Sequence, residues 1–166
     1  GGKTSILSLC MENKGNITAT DIEGPRSNRL KENLKRLGVK NVTVQSGDLL
    51  SQDNFLSDQS NQYDRILIDV PCSNTGVFRR RADAKWRLMP GFTKDLAQLQ
   101  FRMAESVVPL LKEDGKMVYS TCSIDEAENC QLVEKIIEKF PYLKKIDEVS
   151  LIPQDDRDGA YAALLG

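Results

Sequence analysis

A chain of 166 residues, 40% hydrophobic and 28% charged, has the length of one ordinary domain and the composition of a folded one, which excludes disorder. Its 23 basic and 24 acidic residues leave a net charge of −1, so any nucleic-acid contact needs a local basic patch. Histidine is absent, which excludes serine–histidine hydrolases, papain-like proteases and histidine-ligated zinc enzymes within this chain.

In chain order, Gly1-Gly2-Lys3-Thr4 is a phosphate-loop-like turn, and Thr4–Glu12, with Ile6, Leu7, Leu9, Cys10 and Met11, predicts a helix behind it. Such a turn normally follows a strand, so the chain is expected to begin one strand late. Asn16–Asp21 reads as a strand ending in an acid. Pro25–Leu37 reads as a helix with Leu30, Leu34 and Leu37 inward, five basic residues outward and Gly38 as its stop. Val42–Gln45 is a strand, a polar loop follows to Gln62, and Arg65–Asp69 is a strand of buried type. Residues 70–91 should be largely loop. Leu96, Leu99, Met103, Val107 and Leu110 mark a long amphipathic helix, and Lys116–Ser120 a strand introduced by Asp114-Gly115. Ser123-Ile-Asp-Glu126 matches a capping box, with Val133, Ile136, Ile137 and Phe140 as the apolar stripe behind it. Residues 143–151 and 159–165 read as two last strands. Strands alternating with helices specify an α/β fold, a mostly parallel sheet covered on both faces, here in a single domain over residues 1–166.

No apolar run approaches the ~18 residues of a membrane span and no signal peptide is evident, so a cytoplasmic protein without a membrane partner is expected. The four cysteines show no C-x-x-C spacing. No metal site is expected, and the cysteines should be free thiols.

Ligands of an open α/β sheet gather outside the carboxyl ends of its strands. Those ends carry Asp21, Asp48, Asp69-Val-Pro71-Cys72-Ser73 and Ser120-Thr121-Cys122-Ser123. If the last two strands are neighbours, Cys72 and Cys122 overlook one cavity; the alternative is that each packs as a small hydrophobe. Cys10 and Cys130 lie within helices and read as packing residues. Asp21 stands where an acid takes the hydroxyls of a ribose, or caps a helix. Asp48 suits either a ligand or a turn, and Asp69 points into the cleft. Arg79, Arg80, Arg81, Lys85 and Arg87, with Trp86, suit a phosphate backbone and a stacked base, or form a solvated loop. Gly2-Lys3-Thr4 is also the tail of a Walker A loop, and Arg65–Asp69 passes for a Walker B strand. A P-loop nucleoside triphosphatase is therefore the alternative, although it gives Asp21 and the two cysteines no role.

The turn Gly1-Gly2-Lys3-Thr4, the run Asp69-Val-Pro71-Cys72-Ser73-Asn-Thr75-Gly76-Val, the element Tyr119-Ser-Thr121-Cys122-Ser123 with Glu128-Asn129, and Asp158-Gly159-Ala-Tyr-Ala together resemble the Sun/Fmu family of RNA cytosine-carbon-5 methyltransferases. The resemblance runs through the whole chain in order. It implies a Rossmann-like class I methyltransferase fold, with the last strand antiparallel and the first strand expected to be missing. It implies S-adenosyl-L-methionine as cofactor, with Gly1, Gly2 and Lys3 around the methionine part, Asp21 at the ribose, Asp48 at the adenine and Asp69 close by. RNA, with ribosomal RNA the expected class, is the implied substrate. Cys122 is implied as the nucleophile that adds to carbon 6 of cytosine, Cys72 as the residue that assists release of the adduct, and Asp69 as the group that holds the base edge. Lys3 is implied to line the same site and favour a thiolate at Cys122. A fragment that lacks its central strand is expected to bind the cofactor weakly and to self-associate through exposed sheet edges.

Overall fold

The computed structural model describes residues 1–51, 62–89 and 91–166. The described residues up to 51 form one compact unit and those from 62 onward a second. Residues 52–61 of the expected polar loop, and residue 90 of the expected 70–91 loop, lie outside the described residues.

In the first unit, helix α1 (Gly2–Cys10), strand β1 (Ile17–Asp21), helix α2 (Pro25–Arg36) and strand β2 (Val42–Ser46) follow the sequence reading closely. The strands pair in parallel with Asp21 opposite Ser46. Ala19, Leu30 and Leu34 are buried together, with Val39, Val42 and Val44 packed against them. The helix α2 ends as its glycine foretells. Gly38 takes φ +66°, its N–H donates to the Lys35 carbonyl, and Val39 N–H donates to the Leu34 carbonyl. That is a Schellman motif, which satisfies the last carbonyls of the helix. Two corrections belong here. Leu37 lies just beyond the helix and is 52% exposed rather than inward. Cys10 is exposed and so is no packing residue.

The second unit holds β3 (Tyr63–Asp69), α3 (Phe92–Val107), β4 (Leu111–Thr121), α4 (Cys130–Lys139), β5 (Lys145–Leu151) and β6 (Ala160–Leu165). Its sheet has the order β3-β4-β6-β5. β3 and β4 are parallel, while β6 runs antiparallel to both β4 and β5. The antiparallel last strand is therefore present as expected. Met117 and Tyr119 of β4 stand opposite Leu165 and Ala163 of β6, and all four are buried. With Ala104 and Val107 of α3 and Leu132, Val133 and Ile136 of α4 they form the core of this unit. β3 departs from the buried type expected of it. Ile68 is buried but Leu67 is 37% exposed, because β3 is an edge of its sheet.

β4 is longer than expected, taking in Asp114-Gly115 with a register shift opposite Tyr63 and Arg65. Two 3-10 turns, Thr75–Val77 and Ala82–Arg87, interrupt the expected loop. No helix among the described residues is long and apolar enough to cross a membrane.

Candidate functional site

Parallel pairing of β3 and β4 sets Asp69 opposite Ser120, so the two exits emerge side by side. Val70 N–H still bonds to the Ser120 carbonyl at 3.2 Å, and the chains then diverge into the two cysteine loops. Cys72 Sγ and Cys122 Sγ lie 2.9 Å apart. The thiols are free, Cys72 buried and Cys122 half-buried. The two strands are neighbours, and the two thiols meet.

A frame of hydrogen bonds holds this pair. Cys122 N–H donates to Cys72 Sγ at 3.3 Å, and Cys122 Sγ donates to Asn74 Oδ1 at 3.3 Å. Asn74 adopts φ +62°, a left-handed conformation that asparagine tolerates, and its amide donates to the Cys72 carbonyl at 2.8 Å. Gly76 N–H reaches the Cys122 carbonyl at 3.0 Å, and Gly159 N–H reaches the Gly76 carbonyl at 2.7 Å. The Ser73, Thr75 and Ser123 hydroxyls lie within 3.0–3.2 Å of one another. Beneath them, the buried Glu128 carboxylate accepts from Ser73 N–H, Gln100 Nε2 and the Ser123 hydroxyl. Asp69, exposed at the end of β3, accepts from the Ser120 hydroxyl at 3.2 Å.

The electrostatics separate the two thiols. The hydrogen bond with Cys122 pulls Cys72 down to about 7 from its ordinary 9.0, against the opposing pull of burial and the charge of Glu128. Cys122 moves the other way, because the hydrogen bond to Cys72, burial and the charges of Cys72 and Asp69 all disfavour its ionisation. Ionisation of the pair is thus favoured at Cys72 over Cys122. Burial likewise pushes Tyr119 up, its hydroxyl donating to the Glu128 carbonyl at 2.7 Å.

Ser123 corrects the capping-box reading. It is buried, its hydroxyl serves Glu128 and accepts from Asp125 N–H, and Asp125 caps a 3-10 turn at Glu126–Glu128. The helix α4 starts only at Cys130, which is half-buried. A serine and an acid with cap spacing have been drawn instead into the polar frame beneath the thiols.

The first unit carries the other group of anticipated residues. Asp21 and Asp48 stand at the same carboxyl edge of β1 and β2, where Gly47 N–H donates to the Asp21 carbonyl. Asp21 Oδ1 accepts from Ile22 N–H and Asp48 Oδ1 from Leu50 N–H, so both acids also stabilise their own turns. Ser8, in the last turns of α1, donates to Asn41 Oδ1 at the opposite edge. Gly2 and the exposed Lys3 form the start of the helix. A Cβ on Gly1 would come within 2.5 Å of Leu30 Cδ1, whereas one on Gly2 would meet open space.

The expected basic segment is partly committed within the protein. Arg80 Nε lies 2.8 Å and Arg79 3.5 Å from Asp158, and Arg79 also donates to the Asp155 carbonyl. Arg87 pairs with Asp83. Arg81 is exposed, and Lys85 Nζ lies 4.9 Å from the ring centroid of Trp86, itself 79% exposed. Trp86 is thus no core anchor.

Sequence reasoning missed Asn74 and Gln100 as members of the site. Gln100 carried a readable signal: it is a polar residue on the apolar stripe of α3, between Leu96 and Ala104, and it is fully buried. Its amide donates both to Glu128 and to the Pro71 carbonyl.

Residues 1–165 match the family model described as 16S rRNA methyltransferase RsmB/F. A ribosomal RNA small subunit methyltransferase B from Photorhabdus laumondii is 42% identical over 140 residues, 84% of this chain and 32% of its own length. The chain thus spans about a third of the length of the curated relatives it matches. Among solved structures, NSun6 from Pyrococcus horikoshii with SFG superposes with a TM-score of 0.85 at 30% identity, over 99% of this chain and 44% of that one. A SAM dependent methyltransferase from Aquifex aeolicus superposes with a TM-score of 0.62 at 14% identity, over 98% and 74% of the two chains, a likeness of fold. The fold is the Rossmann-like fold of S-adenosylmethionine-dependent methyltransferases.

Proposed function

The chain belongs to the 16S rRNA methyltransferase RsmB/F family, and we propose that it transfers a methyl group from S-adenosylmethionine to carbon 5 of a cytosine in ribosomal RNA through a covalent thiol adduct. The observation that carries the reading is the contact of two thiols at adjacent strand exits, with an acid at one of them.

Carbon 5 of cytosine is a poor nucleophile until a thiolate adds to carbon 6 and makes the ring an enamine. Cys122 is the attacking group. Cys72, ionised first, is placed to take the Cys122 proton as the sulfur–carbon bond forms. Asp69 holds the base edge near ring nitrogen 3, where charge develops. After methylation water takes the carbon 5 proton, the carbon 5–carbon 6 double bond re-forms, and the Cys122 sulfur leaves as a thiolate that recovers its proton from Cys72 beside it. S-adenosylmethionine, when bound, supplies the electrophilic methyl group. The carboxyl edge of β1 and β2 suits that molecule, because Asp21 and Asp48 are acceptors for ribose hydroxyls and an adenine amino group. Gly1, Gly2 and Lys3 are assigned to its methionine part. Arg79, Arg80, Arg81, Lys85 and Arg87 are assigned to RNA phosphates, Asp158 orienting the first two. The P-loop alternative leaves both cysteines without work, and family membership favours methyl transfer.

Transfer of a labelled methyl group from S-adenosylmethionine to 16S ribosomal RNA tests the reading. Cys122→Ala should abolish transfer. Cys72→Ala also removes the neighbour that disfavours ionisation of Cys122, so Cys122 should ionise directly, form the adduct and fail to resolve it, leaving a protein–RNA band that survives denaturing electrophoresis and vanishes with nuclease. A trapped band with Cys122→Ala instead would reverse the two roles, and unaffected turnover in both variants would refute the covalent step.

A further inference from the structure

Glu128 is completely buried, and no salt bridge reaches it among the described residues. An uncompensated buried carboxylate is costly, so its hydrogen bonds must satisfy it. They come from both thiol loops. Oε2 accepts from the backbone N–H of Ser73 at 2.9 Å, and Oε1 from the Ser123 hydroxyl at 2.9 Å. Ser73 directly follows Cys72, and Ser123 directly follows Cys122. Gln100 adds a third donor at 2.8 Å and with its second hydrogen holds the Pro71 carbonyl, the residue before Cys72. Glu128 is itself anchored in the core, because Tyr119 on β4 donates to its backbone carbonyl. One carboxylate thus grips the residue after each thiol and is fixed to the sheet behind them.

We propose that Glu128 is the positioning residue that holds the Cys72 and Cys122 thiols in contact, by binding both strand-exit loops to a single carboxylate. Its consequence for catalysis rests on the methyl-transfer reading; its effect on the thiols does not. Hydrogen bonds to a charged acceptor are the strong ones, so a carboxylate fixes the two loops more firmly than a neutral group would. Its charge acts as well. The titratable groups facing the pair are Asp69 from β3, Tyr119 from β4 and Glu128, and the charge of Glu128 opposes ionisation of Cys72. Removing the charge while keeping the shape therefore shifts the thiols in a direction that structural loss does not imitate.

The test uses diamide, which takes two electrons and two protons from the thiol pair to give a Cys72–Cys122 disulfide and the corresponding hydrazine. Cys10→Ser and Cys130→Ser form the background. Neither RNA nor methyl donor is present, so failure here leaves the methyl-transfer reading standing, and failure of that reading leaves this result intact. Glu128→Ala should slow disulfide formation about tenfold or more, the scale of one charge-assisted hydrogen bond, while keeping a cooperative thermal transition. Glu128→Gln keeps an oxygen for Ser73 and Gln100 and an amide that can donate to Ser123. It should slow disulfide formation less than Glu128→Ala does and shift the pH midpoint of Cys72 alkylation below that of the parent. A parental disulfide rate in folded Glu128→Ala overturns the proposal. So does an unmoved alkylation midpoint in Glu128→Gln, which decides alone if the alanine variant loses its thermal transition.

Discussion

Deleting the Cys122 sulfur should return the Cys72 thiol to ordinary behaviour, and the size of the change follows from what surrounds it. Cys72 is lowered from 9.0 to about 7, and the largest cause is the hydrogen bond with Cys122. A lowering of that kind raises the thiolate fraction of Cys72 near neutrality well above that of an ordinary thiol. In Cys122→Ala the backbone N–H groups of Asn74 and residue 122 remain as the favourable influences, while burial and the charge of Glu128 still oppose ionisation. The midpoint should therefore climb back toward 9. The sign for stability follows the same logic. A thiol whose folded value is depressed stabilises the fold above its unfolded value and loses that contribution as pH falls through about 7. The parent should thus melt at a rising temperature between pH 7 and pH 9 by a margin that Cys122→Ala lacks. Iodoacetamide alkylation of Cys72, resolved by peptide mass spectrometry across that range, measures the midpoint, and thermal melts measure the linkage. A Cys122→Ala midpoint still near 7 would refute the assignment of the shift to the thiol pair and transfer it to the backbone.

Gly76→Ala should destabilise the protein by about 1–3 kcal/mol, as overpacking does, because its Cβ would come within 2.6 Å of the Gly159 carbonyl oxygen and 2.8 Å of that of Cys122. Chemical denaturation measures this, and parental stability would contradict the close approach. Replacing Arg79, Arg80 and Arg81 together with alanine should weaken RNA binding at low salt. It should also flatten the logarithmic salt dependence by about 0.7 for each phosphate no longer neutralised, about 2 if each arginine neutralises one. An unchanged slope returns the segment to a solvated loop held by Asp158.

The parts of this fold that were legible in the sequence are those decided locally or by period. Gly38 stops α2 because a glycine at a left-handed position is a property of three or four residues. The two strand exits that carry the cysteines were legible in the same way, whereas their adjacency is set by the order of strands in the sheet. What stayed hidden depends on partners far along the chain. Ser123 and Glu126 have the spacing of a cap, yet the Ser123 hydroxyl is claimed by Glu128 and by Ser73, fifty residues away. Arg79 and Arg80 read as free charges because Asp158, their partner, is nearly eighty positions later. Tertiary demand overrides local signal where a polar group is buried, since burial obliges it to find a partner wherever one is offered.

The same obligation explains how a chain without histidine can manage a proton near neutrality. A base that titrates close to pH 7 has to be made from another side chain, and Cys72, lowered to about 7 by its neighbour, is such a group. Pairing thiol with thiolate has a consequence that a thiol–imidazole pair lacks. When the proton passes from Cys122 to Cys72 the pair is a monoanion before and after, so charge moves by one sulfur–sulfur distance of 2.9 Å and no ion pair is created. Creating separated charges in a site from which water is excluded is expensive, whereas shifting one existing charge between two close atoms is not. On the proposed mechanism, closure of RNA over the site therefore leaves the proton transfer almost unpenalised, provided the sulfurs stay in contact. Contact is what the Glu128 carboxylate and the Asn74 amide hold in place, which makes the buried polar frame, rather than the apolar core, the part of this unit on which the proposed chemistry depends.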